Sequence, residues 1–168
     1  ALAAGVAHAD LVYQEYGVKV AKDTNYAQNV AIGLAQLSVN VIDDDGGILF
    51  KFLNAGDEPS TITDIYFFDT LGLLNLDSGE GSDLAGSSGV AYSWNKGNGK
   101  FFNSSSDVSI SPTKNVKDGV DSGLSLAEWL DVSFALNLDK NYDSVIKALD
   151  TGEMVIGMHV QRFEYRDG

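Results

Sequence analysis

Three consecutive carboxylates, Asp43-Asp44-Asp45, stand directly before Gly46-Gly47. Carboxylate oxygens gathered at a turn are hard ligands and suit Ca2+. The three are consecutive and no acidic residue follows at the twelfth position, so the EF-hand spacing is not met. The plainer alternative is a solvated hairpin turn. A second acidic set, Asp69, Asp77, Glu80 and Asp83, lies in or beside a Gly/Ser-rich stretch that can wrap an ion, at a spacing that fits no known loop. Ca2+ is the only cofactor these residues suggest.

The chain holds two histidines, His8 and His159. A Ser-His-Asp triad would have to be built around His159, in the run MVIGMHVQRF. There is no Gly-x-Ser-x-Gly elbow, and a strand-borne His is more often structural. Glu128 and Glu153 are the carboxylates that a glycosidase pair would draw on; two turn-associated acids are the simpler alternative. Gly97-x-Gly99 is not followed by a helical pattern, so it is not a nucleotide loop. Trp94 lies in a polar stretch near an Asn/Gly turn. There it is a candidate for stacking its apolar ring face on a sugar. Trp129 sits beside Leu130 and reads as core.

The elements that must position these groups are mostly strands. Leu37, Val39 and Val41 alternate with Ser38, Asn40 and Ile42. Ile48, Phe50 and Phe52 alternate with Leu49, Lys51 and Leu53. The Asp/Gly turn between them supplies the positive φ a tight reversal needs. The pattern predicts a hairpin with arms near 34–42 and 48–54. A third strand, TITDIYFF (61–68), is expected to continue it as an antiparallel meander. Residues 75–90 read as a loop, with two short strands around 95–99 and a polar connection over 111–123. Ser125 can cap a short turn before a strand that runs on from Leu130. Tyr142, Val145, Ile146 and Leu149 fall at helical spacing before Gly152, which predicts one short helix near 142–150. MVIGMHVQRFEY then alternates, with Val155, Gly157, His159 and Gln161 on one face.

The sum predicts an all-β fold. It is a two-layer antiparallel β-sandwich, jelly-roll-like, in one domain over 10–168. At 168 residues, a core needs no disulfide, and there is no Cys to form one. The net charge is −13, with 24 acidic against 11 basic residues. Such a surface repels phosphate backbones and anionic lipids, which argues against nucleic acid as a partner. No apolar run approaches the ~18 residues of a membrane span.

The pieces FKFLNAGDEPSTITDIYFFD (50–69), EWLDVSF (128–134) and ALDTGEMVIGMHVQRF (148–163) carry a resemblance. In this order and spacing they resemble the globular part of exported bacterial proteins with a PEP-CTERM sorting tail. The resemblance covers roughly 34–69 and 124–165. It implies an exported protein of a Gram-negative bacterium that makes extracellular polysaccharide, acting as a surface or matrix component rather than an enzyme. The Pro-Glu-Pro motif, apolar span and basic end of such tails are not among the 168 residues. The resemblance supplies no catalytic residues.

Ala1 to Ala9 are small and uncharged apart from His8, and end Ala7-His8-Ala9, which fits signal-peptidase cleavage after Ala9. The alternative is a retained arm that adds as a strand to the next subunit and builds fibres. The expectation is therefore a non-enzymatic, secreted or cell-surface protein of the biofilm matrix. Its expected partners are its own copies or extracellular polysaccharide. A carbohydrate-binding module is the alternative, and a polysaccharide hydrolase a weaker one.

Overall fold

The computed structural model describes residues 26–76, 82–95, 100–101, 104–113, 119–121 and 128–162. The expectation for residues 1–9 lies outside them, as do His8, Asp77, Glu80 and Ser125. Asp45 (φ 45°) and Gly46 (φ 94°) form the predicted reversal. It joins β1 (Leu37–Asp44) to β2 (Gly47–Asn54), paired antiparallel from Leu37↔Asn54 to Asp44↔Gly47. Residues with positive φ at both central positions match the twist of the strands they join. β1 begins later than expected because Tyr26–Gln36 forms a helix, α1. Val30 and Leu34, one helical turn apart, are the local signal for it.

The expected meander stops at β2. β3 (Thr61–Asp69) belongs to the opposite sheet. The chain crosses between layers at a buried polar knot. The Gln36 side-chain amide donates among Asn54 Oδ1 (3.0 Å), the Glu58 carbonyl (2.9 Å) and Ser60 Oγ (2.6 Å). The Asn54 amide in turn donates to the carbonyls of Ser60 (3.1 Å) and Val120 (3.2 Å). Satisfied groups can stay buried at little cost, and here they hold the crossover in place.

The remaining strands are β4 (Asp83–Gly86), β5 (Tyr92–Trp94), β6 (Lys100–Phe101), β7 (Ser104–Ser105), β8 (Val108–Pro112), β9 (Val120–Asp121), β10 (Glu128–Ala135) and β11 (Met154–Gln161). One sheet has the order β1-β2-β10-β4 and the other β11-β3-β8-β5, with β9 paired to β3 and β6–β7 a separate ribbon. All these pairings are antiparallel. The all-β two-layer sandwich expected from the sequence is the fold. Part of the stretch read as a loop, 83–86, is the edge strand β4, and β8 and β9 fall within or beside the expected polar connection. β5 pairs with β8 rather than with β6.

Phe50, Phe52, Phe67 and Phe134 fill the space between the layers as edge-to-face rings 5.0–6.2 Å apart. Edge-to-face contact adds to the large area each ring buries. The predicted helix is α2 (Tyr142–Thr151), capped by Asn141 and ended by Gly152 in the left-handed region. It lies against β1 and β11, the neighbouring edges of the two sheets. The Tyr142 hydroxyl donates to the Val41 carbonyl at 3.2 Å, so α2 occupies part of the β1 edge. Among the described residues no helix is long and apolar enough to cross a membrane.

Candidate functional site

Strand alternation sends every second side chain of a sandwich outward. On β3 that rule is broken once. Asp64 pairs with His159 and Ile62 with Val160, so Thr63 is an extra residue, a β-bulge. The bulge lets Ile62 and Ile65, three apart, both bury completely. It also turns Asp64, Tyr66 and Phe68 outward together. Across β11, β3 and β8 this outer face forms rows. Val155 stands opposite Phe68. Gly157, Tyr66 and Ser109 form the next row, and His159 stands opposite Asp64. The small residues on either side of Tyr66, Gly157 and Ser109, are both buried, and Tyr66 itself is half-buried between them.

Asp64 is the hub. Its Oδ2 lies 3.1 Å from His159 Nδ1 and its Oδ1 accepts from the Ser111 hydroxyl at 2.5 Å. The Thr63 hydroxyl lies 3.1 Å from Asp64 Oδ2 and 3.1 Å from the His159 carbonyl. Asn95 donates to Ser109 Oγ (2.9 Å) and Ser111 Oγ (3.0 Å), extending the array to the far strand. The His159 hydrogen bond holds the Asp64 carboxyl below its usual range, against the opposing pull of partial burial. His159 meets Asp64 through Nδ1, and its side chain is 51 % exposed. Burial, and then the Asp64 charge, raise the Tyr66 hydroxyl, which stays a neutral donor at pH 7.

This array is out of order for nucleophilic catalysis. A triad needs the Ser hydroxyl on the His nitrogen remote from the acid, and Ser111 sits on Asp64 instead. Glu128 and Glu153 are not brought together either. Glu128 accepts from the Asp121 amide at 2.7 Å, beside the Thr61 end of β3. Glu153 precedes Met154, which pairs with Asp69 at the other end of β3. The strand between them is roughly 25 Å long at ~3.3 Å per residue, well beyond the spacing of a glycosidase pair.

The other predicted sites fare as follows. Asp43, Asp44 and Asp45 are exposed at the hairpin turn; Asp43 and Asp44 are adjacent strand residues, so they point to opposite faces. Asp69 is buried (6 % exposed), and its Oδ2 accepts from the Leu74 amide at 2.8 Å, whereas Asp83 is exposed on β4. Among the described residues no group of three or more His, Asp or Glu side chains could hold a metal ion.

The two tryptophans exchange their expected places. Trp94 follows the inward phase of β5, and its ring meets Phe134 at 5.4 Å. It is a partly buried part of the core, not an open platform. Trp129 lies on the outward phase of β10, and Lys51 Nζ stands 4.5 Å from its ring centre. Strand phase, not the polarity of neighbouring residues, decides which way each ring points. Asp64, Ser111 and Asn95 belong to no catalytic motif in the sequence. Their signal was an acid and a His on the outward phases of two strands.

Comparison of this chain with known protein families, curated sequences and solved structures finds no match.

Proposed function

We propose that this chain is a non-enzymatic, secreted or cell-surface component of a bacterial extracellular matrix. It binds uncharged polysaccharide on the outer face of the β11-β3-β8-β5 sheet. One observation carries the reading. Tyr66 and Phe68 stand on the same face as a hydrogen-bonded array of Asp64, His159, Ser111 and Asn95. Sugars present apolar C–H faces ringed by hydroxyls. An aromatic ring beside fixed acceptors and donors meets both features, and groups already held in place lose little entropy on binding. The net charge of −13 favours a neutral strand over a polyanion.

Affinity electrophoresis tests this. The protein is run through native gels containing hydroxyethyl cellulose, dextran or guar galactomannan, with alginate as the polyanion. The expected result is retardation by at least one neutral polysaccharide and none by alginate. Tyr66→Ala and Asp64→Asn should each reduce that retardation. A mobility unchanged by all three neutral polymers would remove the proposal.

A further inference from the structure

The opposite sheet carries its own outward pattern. On the face of β1-β2-β10-β4 the register sets Ser38, Leu53 and Trp129 in one row, Asn40, Lys51, Asp131 and Ala85 in the next, and Ile42, Leu49, Ser133 and Asp83 in the third. Three features single out Trp129. Its backbone is clamped by Ser87 through both polar groups: its amide donates to Ser87 Oγ at 3.1 Å, and its carbonyl accepts from the Ser87 amide at 3.0 Å. Its ring is braced by the Lys51 ammonium 4.5 Å from its centre. Lys51 is itself held by Asp131, with Nζ 3.0 and 3.2 Å from the two carboxylate oxygens. Each member fixes the next, so the indole is positioned before any ligand arrives.

The chemistry around the ring selects an occupant. Lys51 and Asp131 cancel in charge, which removes the attraction for a polyanion and for a cation. Both still offer hydrogen-bonding atoms, and Asn40 and Ser133 share the face. An apolar ring face beside neutralised polar groups fits the hydroxyl-rich, uncharged chain proposed for the other sheet.

We propose that Trp129, Lys51 and Asp131 form a second polysaccharide-binding platform, so that one protein chain bridges two polysaccharide strands on opposite faces of the sandwich. The ammonium takes one side of the indole and a sugar ring stacks on the other. This rests on the proposed binding of uncharged polysaccharide, and it adds valency: a matrix protein with two back-to-back faces cross-links what it binds.

Turbidity and affinity gels, with the same three neutral polysaccharides, separate the two ideas. With wild-type protein, turbidity should rise with protein, peak, and fall again in excess, as a bivalent linker requires. Trp129→Ala should abolish the peak yet keep part of the gel retardation, through Tyr66. Tyr66→Ala should do the same through Trp129, and the double variant should migrate freely. Trp129→Tyr, which keeps an aromatic face, should restore the turbidity peak; this separates platform loss from misfolding. Retardation of wild type without a peak, or a peak unchanged in Trp129→Ala, overturns the second platform and leaves the first standing. No retardation of wild type at all overturns both.

Discussion

Gly56→Ala tests whether the buried knot at the sheet crossover governs the fold. A Cβ at position 56 would lie 2.2 Å from Gln36 Oε1, 2.8 Å from Cδ and 2.5 Å from Cβ. Rotating the Gln36 side chain relieves the first two contacts. It cannot move Cβ, so the end of α1 must shift away from the β2–β3 turn. That shift breaks the Ala55 amide to Gln36 carbonyl hydrogen bond (2.8 Å) and the side-chain amide's links to Asn54, Glu58 and Ser60. At about 1 kcal/mol for each of these hydrogen bonds, the cost is about 4 kcal/mol. Gly56 is not among the positive-φ glycines, so backbone strain adds nothing. Urea unfolding measures the loss. In the Gln36→Gly background the obstructing side chain is gone, so adding Gly56→Ala should cost under about 0.5 kcal/mol, a strongly non-additive cycle. Equal cost in both backgrounds, or a single variant as stable as wild type, would refute the reasoning.

Two further outcomes follow from the charged groups. Asp64 has a lowered native pKa, owing first to its His159 hydrogen bond. Its stabilising effect is therefore full above the unfolded value of about 3.9 and is lost as pH falls through the native value. The melting-temperature gap between wild type and Asp64→Asn should be larger at pH 6 than at pH 2.5; an equal gap would show that the pair adds nothing as an ionised group. Glu128 is shifted the other way, by burial and then by the Asp121 charge. Its ionised form is disfavoured in the native state, so Glu128→Gln, which keeps an acceptor for the Asp121 amide, should raise Tm at pH 7 by roughly 1–2 °C. A lowered Tm would contradict the assignment.

Alternation and turn chemistry made the sandwich legible. The Asp45-Gly46 reversal, the Val39/Val41 and Phe50/Phe52 phases, and α2 with its Gly152 cap all follow from local rules that neighbouring residues obey. The assignment of β3 to the opposite sheet was not legible. It depends on Gln36, Asn54 and Ser60 meeting across 24 residues of chain, and no local pattern announces that contact. The bulge at Thr63 was hidden for a related reason. TITDIYFF reads as one strand, and only pairing with β11 shows where its phase slips. The candidate site inherits that difficulty, because Asp64 and His159 are 95 positions apart and meet only through that register.

The positions of the polar groups follow from the architecture. In a two-layer sandwich the inward phase is taken by core, so chemistry must use the outward phase, the turns or the ends. Turn residues such as Asp43–Asp45 are exposed and have little around them to fix their side chains. Outward residues of central strands differ, because a neighbouring strand on each side half-buries them and supplies partners. Asp64 and Tyr66 lie on β3, between β11 and β8; Lys51 lies on β2, between β1 and β10; Trp129 and Asp131 lie on β10, beside β2 and β4. Both proposed ring platforms, Tyr66 and Trp129, are on these strands, and His159 on the edge strand β11 is held in place by Asp64. A side chain held by its neighbours binds with less entropy lost than one on a free turn. That is the physical ground for seeking recognition on the two sheet faces rather than at the acidic hairpin that dominates the sequence.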